Sequence, residues 1–296
     1  MNYKYLIYLL IILIILNFLK KKLKKYIKIY KNNGFDGIWF YFINKNFKKT
    51  GLSNFIDKKK NILGKKIEKI SKNRILYGPY SGTIIDNSYG WSNTDFAAKY
   101  LGTYEAQIQR KIIFLAKKFK LKNFVDLGAA EGYHIVSLLK KNYFSNGIAY
   151  ELNKKSRNLL KKNSISNKIL KKISIYPDAT FESLKENLGN IKQKQTLFLV
   201  DIEGNEFYLF NSNFCNHFSK CYFIIEDHNF NIKSKKSINS FYKIIGKKFK
   251  IEILKDTSKD PFNFKILDKF TDDEKYLMMS EGRPRTMQWI ILYPKN

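Results

Sequence analysis

Residues 123–134 read NFVDLGAAEGYH, and no other stretch restricts the fold of this chain as strongly. Phe124 to Leu127 form a short apolar run carrying one carboxylate, the pattern of a buried parallel strand with a polar exit. Gly128 and Gly132 then bracket Ala129, Ala130 and Glu131. Such a turn has no bulky branches, so its backbone can approach a ligand closely before an apolar helix begins at Tyr133. A strand, a small-residue turn and a helix make half of a nucleotide-binding unit.

The segments that follow repeat the pattern. A helix is expected over 133–140, a strand over 147–150 ending at Glu151, and a helix over 153–163. Further strands at 173–176, 196–200 and 222–225 run out into Asp178, Asp201 and the trio Glu226, Asp227 and His228. Successive strands that all exit into carboxylates place those acids in one crevice, because ligands of an open parallel sheet bind at its carboxyl edge. The interval from Asp126 to Glu151 is also near the spacing at which a second-strand acid meets a ribose. Strands at 250–254 and 287–293, joined through a polar loop containing Asp272 and Asp273, read as a terminal antiparallel hairpin. Upstream, residues 74–86 (RILYGPYSGTIID) alternate and turn at Gly78-Pro79 and Ser81-Gly82, which predicts another hairpin. After Trp91 and Asp95, LGTYEAQIQRKIIFLAKK predicts an amphipathic helix opened by Tyr104.

The N-terminus is of a different kind. No charge interrupts residues 5–19, and Lys20, Lys21, Lys22, Lys24 and Lys25 follow at once. This reads as a membrane anchor, with residues 1–19 approaching the roughly 20 residues that a spanning helix needs. The flanking lysines then put the rest of the chain in the cytoplasm. A cleaved signal peptide fits less well, since no small-residue site follows the run and the charges lie on its wrong side; a helix lying on anionic lipid is the alternative. The expected organisation is an anchor with its lysine cluster (1–25), a basic linker with a weak helix over 55–70 (26–73), and one folded domain (74–296). A net charge of +30 raises the question of a polyanionic partner. Lys, Asn and Ile are abundant along the whole chain, however, so solvated lysines account for the charge and a nucleic-acid partner is not expected. The two cysteines, Cys215 and Cys221, fit neither a metal spacing nor a secreted scaffold.

Two nucleotide folds are excluded by the turn itself. A dinucleotide site wants G-x-G-x-x-G, whereas this turn is G-x-x-x-G with Glu131 before the closing glycine. An acid there repels a pyrophosphate and tolerates a cationic sulfonium. The P-loop fails because no G-K-[ST] follows. S-adenosylmethionine, with its positive sulfur, amino acid end and ribose diol, suits a crevice ringed by carboxylates.

Taken together, VDLGAAEGYH, AYEL, LFLVDIEGNEFYLF and FIIEDH resemble the FkbM-type methyltransferases, whose marker is D-x-E-G-x-E on the fourth strand; Asp201, Glu203, Gly204 and Glu206 match it. LGTYE and EGRPRTMQWIILYP are similar to one branch of that family, and the likeness spans about residues 78–294. The resemblance implies a class I fold: a Rossmann-like, seven-stranded methyltransferase sheet, mostly parallel with an antiparallel terminal hairpin and flanked by helices. It also implies O-methylation of a hydroxyl on a sugar, polyketide or similar metabolite; with the anchor, a saccharide or lipid-linked glycan is the expected acceptor. Carried over, Asp126, Gly128 and Gly132, with Ala129 and Glu131 between them, shape the donor turn. Glu151 takes the ribose hydroxyls, Asp178 and Ala179 flank the adenine, and Tyr104 and Glu105 cover the amino acid end. Asp201 and Glu203 stand nearest the methyl group, with Glu203 or His228 as base.

Blander roles compete for several of these. Glu206 is expected to cap a helix beginning at 205, His134 and His217 to be structural, and Arg283 and Arg285 to be solvated loop residues unless they hold an anionic acceptor. Asp201, Glu203, Glu226 and His228 carry groups that a divalent cation accepts, but acids at strand ends do not establish a metal and none is assigned. Two other classes stay open. One is a nucleic-acid methyltransferase, though no N-P-P-[YF] base clamp is visible; the other is a non-catalytic scaffold at the membrane. Oligomeric state is not legible.

Overall fold

Seven strands pair into one sheet: β1 (Asn123–Leu127), β2 (Asn146–Tyr150), β3 (Ile173–Tyr176), β4 (Thr196–Val200), β5 (Tyr222–Glu226), β6 (Phe249–Lys255) and β7 (Gln288–Pro294). Their order in this computed structural model is β3-β2-β1-β4-β5-β7-β6. The structure describes residues 52–88, 94–283 and 285–295, with Leu23 and Ile27 besides. The apolar run of residues 5–19 and Trp91 lie outside the described residues, and among those described no helix is long and apolar enough to cross a membrane.

The sheet reproduces the expected topology. β1 to β5 are parallel, while β7 runs antiparallel to both β5 and β6 and is wedged between them. β1 is flanked by β2 on one side and β4 on the other, so the strand order reverses at its carboxyl end and a crevice opens there. Both faces of the sheet are covered, which explains why its strands read as unbroken apolar runs. In β4, Leu197 and Leu199 join one core while Phe198 and Val200 join the other.

Ten α-helices occur among the described residues: α1 (Leu52–Ser71), α2 (Phe96–Leu101), α3 (Ala106–Lys118), α4 (Tyr133–Lys140), α5 (Lys154–Ser166), α6 (Phe181–Asn187), α7 (Glu206–Leu209), α8 (Ser212–His217), α9 (Lys235–Lys248) and α10 (Asp272–Met279). Several are started by side chains that satisfy the first free N–H groups: Asn153 for α5, Thr180 for α6 and Ser234 for α9.

Three expectations are corrected. Asp272 and Asp273 do not lie in a loop but open α10, where Thr271 and Glu274 form a reciprocal capping box. Residues 74–86 form no hairpin, only a single antiparallel bridge between Arg74 and Ile84. This segment is instead fastened to α5: Asn163 bonds both backbone groups of Asp86, and Asn167 bonds both of Ile84. Finally, the helix assigned to the linker packs as part of the folded unit, which begins at Lys59 rather than 74. Leu63 and Ile67 of α1 are fully buried against Tyr100 and Leu101 of α2 and Met278 of α10.

Candidate active site

The turn after β1 adopts its shape for a reason other than the expected one. Gly128 has φ +89°, and a Cβ there would stand 1.8 Å from the carbonyl oxygen of Asp201. The close approach that requires glycine is therefore to the exit of β4, not to a ligand. The N–H groups of Gly128 and Ala129 both donate to the Tyr150 carbonyl, curling the turn over the end of β2. Ala130, at φ 46°, donates its N–H to Glu151 Oε2 at 2.9 Å, and Asn153 N–H donates to Oε1 at 2.7 Å. Glu151 is thus fixed by two backbone donors and keeps further acceptor positions for a diol.

Glu131 differs most from expectation. It is fully buried and paired with Lys99 at 2.6 Å, and Lys99 also reaches Asp95 at 3.2 Å. Its charge is therefore met by a lysine inside the protein and cannot alone discriminate against a pyrophosphate. Burial would lower the Lys99 pKa, but the two carboxylates outweigh it and raise it. Asp95 is pushed upward by burial despite Lys99. One oxygen of each acid, Asp95 Oδ1 and Glu131 Oε2, is buried without a partner.

A second buried network fixes the loop before α3. Glu105 sits in the left-handed region at φ 47°, its Oε2 2.9 Å from His134 Nε2, while His134 Nδ1 meets Tyr80 Oη at 3.0 Å. Its other oxygen pairs with Arg283, which also pairs with Glu226 and Glu281. Burial would raise the Glu105 carboxyl, but Arg283 and His134 hold it down at about 2. Arg283 is thus no solvated loop residue, and Glu105 has no oxygen free of an internal partner. Arg285 stacks its guanidinium 4.4 Å from the Phe230 ring.

Past β4, Asp201 and Glu203 face the cavity and His228 stands behind them. Its Nε2 lies 3.8 Å from Asp201 Oδ1, 3.7 Å from Glu203 Oε2 and 3.6 Å from Glu226 Oε2. Glu206 does not cap a helix; fully buried, it accepts from Ile202 N–H at 3.2 Å and holds His228 Nδ1 at 2.8 Å. Asp201 is raised well above the usual carboxyl range by burial and by Glu226. Asp227 belongs to the scaffold, bonded to Asn229, Tyr242 and Gln288.

These groups surround one cavity of about 620 Å³ at the crevice, within the usual range for a small-molecule site. Tyr104, Glu105, Asp126, Gly128, Ala129, Glu131, Glu151, Asp178, Ala179, Asp201 and Glu203 line it; Gly132 and His228 do not. The fifth strand therefore departs from the single-crevice expectation, since neither Glu226 nor Asp227 reaches the wall. The wall carries eight carboxyl groups, those of Asp95, Glu105, Asp126, Glu131, Glu151, Asp178, Asp201 and Glu203, against one lysine, Lys99. In a chain of net charge +30 this is a strong local inversion. Asp126, inside β1, is pushed up to about 7 by burial, Glu105 and Glu151, with His134 opposing. Sequence reasoning missed Lys99, whose partners are an i−4 acid and a distant turn, and Glu206 as the group that orients His228.

No family model matches the chain, and no curated protein matches it significantly. Solved structures similar to it include an O-methyltransferase from Bacillus cereus in complex with SAH, at 13% identity, covering 64% of this chain and 81% of that one with a TM-score of 0.47. The O-methyltransferase TomG from Streptomyces achromogenes, in complex with SAM, shares 6% identity over 68% of this chain and 88% of its own, at 0.44. The Bacillus subtilis tRNA methyltransferase TrmK shares 10% over 64% and 65%, at 0.41.

Proposed function

We propose that the chain is an S-adenosylmethionine-dependent O-methyltransferase of FkbM type, acting on a hydroxyl of a saccharide, with a lipid-linked glycan as the favoured acceptor. The observation that carries the donor reading is the acid-walled cavity at the strand-order reversal, with Glu151 fixed at the end of β2. Lys99 answers Glu131 and Arg283 answers Glu105, but the wall still carries more carboxyl groups than cations, which favours a cationic ligand over a pyrophosphate or a nucleic-acid backbone. The unpartnered oxygens of Asp95 and Glu131 suit an ammonium group, and Lys99 between them suits a carboxylate. The residues present therefore fit S-adenosylmethionine, which when bound supplies an electrophilic methyl on a sulfonium.

The chain's own residues have three tasks. Glu151 holds the ribose diol, with Asp178 and Ala179 at the adenine side. Asp95, Lys99 and Glu131 hold the amino acid end, a role the sequence reading gave to Tyr104 and Glu105; Tyr104 instead packs on Tyr133 and Lys99, and Glu105 keeps the loop in place. Asp201 and Glu203 orient the acceptor hydroxyl, and Glu203, half-exposed on the wall, takes its proton as the C–O bond forms and the C–S bond breaks. Apolar walls from Leu199, Ile202 and Trp289 keep water from competing.

The acceptor reading rests on the D-x-E-G-x-E resemblance and the apolar N-terminal run, and the run carries the proposal of a membrane-tethered enzyme facing the cytoplasm. Calorimetry with S-adenosylmethionine, followed by transfer of labelled methyl to glycans, RNA and protein, tests it. Donor binding with label in glycan is expected. Label only in RNA would support the nucleic-acid alternative, and no donor binding would leave the scaffold reading.

A further inference from the structure

We infer that the outward face of α1 is a docking surface for an anionic lipid bilayer. The surface takes no part in methyl transfer. It adds a contact made by the folded domain itself to the proposed N-terminal tether, which alone would leave that domain free to turn.

The two sides of α1 differ in kind. Lys60, Leu63, Gly64, Ile67 and Ser71 recur at three- and four-residue intervals and are buried. A Cβ added to Gly64 would stand 2.6 Å from Phe96 Cβ, and Leu63 and Ile67 share a core with Tyr100, Leu101 and Met278. Packing this close holds the helix in one rotation. Its opposite side then presents Ile62, Lys65, Lys66 and Lys69 outward, with Ile70 beside them, and all five are exposed.

Lysines on a solvated helix need no explanation, and neither does a lone exposed isoleucine. Helix α9 shows what charge alone looks like in this chain. It carries five lysines, Lys235, Lys236, Lys243, Lys247 and Lys248, and exposes no large apolar side chain. On α1, by contrast, Phe55, Ile56, Ile62 and Ile70 are all exposed among the lysines. Over residues 59–74 the one acid is Glu68, whose carboxylate is turned inward to accept from Tyr100 Oη at 2.8 Å. Glu274 answers Lys59 at 2.7 Å, while Lys65, Lys69 and Lys72 are paired with no acid among the described residues.

A bilayer uses both kinds of residue. Anionic headgroups attract the ammonium ends, and the lysine stems let isoleucines between them reach the acyl boundary. A nucleic-acid backbone would engage the lysines and leave the isoleucines in water. The chain upstream has the same chemistry, an apolar run over 5–19 followed by lysines, with no acid before Asp36. That continuity favours a membrane over an acidic protein as the occupant.

The test uses the full-length Ile62→Cys protein with a polarity-sensitive fluorophore on the introduced thiol; Cys215 and Cys221 are buried and stay unlabelled. Vesicles of phosphatidylcholine and phosphatidylglycerol in equal parts should shift the emission to the blue, and phosphatidylcholine alone should not. Lys65→Glu combined with Lys69→Glu should abolish the shift, as should about 1 M salt, where screening acts beyond about 3 Å. Both lysines lie off the buried side, so this double variant should keep the wild-type melting temperature; Lys65→Gln with Lys69→Gln, the milder pair, should reduce the shift. The same fluorophore on Ser240→Cys, exposed on α9, should not respond. The surface is overturned if anionic vesicles give no shift, if phosphatidylcholine alone gives the same shift, or if the Ser240 position responds equally. A shift brought by single-stranded RNA and not by vesicles would overturn it too. None of these outcomes bears on donor binding in the cavity, which calorimetry tests separately.

Discussion

Glu105 shows how a buried carboxylate can be kept ionised. Its surroundings hold it at about 2 against a reference of 4.5, because Arg283 and His134 outweigh burial. A carboxyl whose folded value is depressed gives stability that is fully present above 4.5 and fades as pH falls towards 2. Urea midpoints of wild type and Glu105→Gln should therefore differ most above pH 4.5 and converge on acidification. Asp126 works in the opposite sense, since its folded value of about 7 lies above 3.8, so its contribution fades as pH rises through that window. At Gly128, alanine would meet the Asp201 carbonyl oxygen at 1.8 Å and adopt φ +89°. Gly128→Ala should move the β4 exit and abolish donor binding by calorimetry, whereas Gly82→Ala, with nothing within 4 Å of its Cβ, should keep it.

Elements differ in how openly the sequence declares them. The bounds of α4, β3 and β4 follow directly from apolar runs closed by glycine or carboxylates, because local pattern and tertiary burial agree there. Helix α10 was hidden: its first turn, Asp272, Asp273 and Glu274, reads as a polar loop, yet Thr271 before it and Glu274 at the third position are the residues of a capping box. Residues 74–86 misled in the other direction, since their alternation is spent on side-chain bonds from Asn163 and Asn167 rather than on a partner strand. The site divides in the same way. Glu151 and Asp201 were legible as strand-end acids and Asp126 as the one carboxylate of an apolar strand, but the pairing of Lys99 with Glu131 and of Arg283 with Glu105 joins residues 32 and 178 positions apart, which no periodicity reports. Thr271→Ala should cost about 1 kcal/mol, read as a lower Tm with donor affinity unchanged.

At the scale of the whole molecule, the start of the folded unit decides whether the donor site survives truncation. Lysine-rich composition made α1 look like linker, but Leu63 and Ile67 on one face are fully buried against α2 and α10. Glu68 adds a hydrogen bond from Tyr100 Oη at 2.8 Å. Each of the two aliphatic side chains is worth about 2–5 kcal/mol when removed from a packed core, so losing both approaches the whole stability of a domain. The consequence reaches the cavity because α2 carries Lys99, and Asp95 precedes it, so the helix that loses its cover is the one that holds the proposed amino acid subsite. A protein of residues 52–296 should keep its donor affinity, and one of residues 74–296 should melt early or fail to fold and bind no donor. Equal melting temperatures and equal affinities for the two would show that α1 is the dispensable linker its composition suggests.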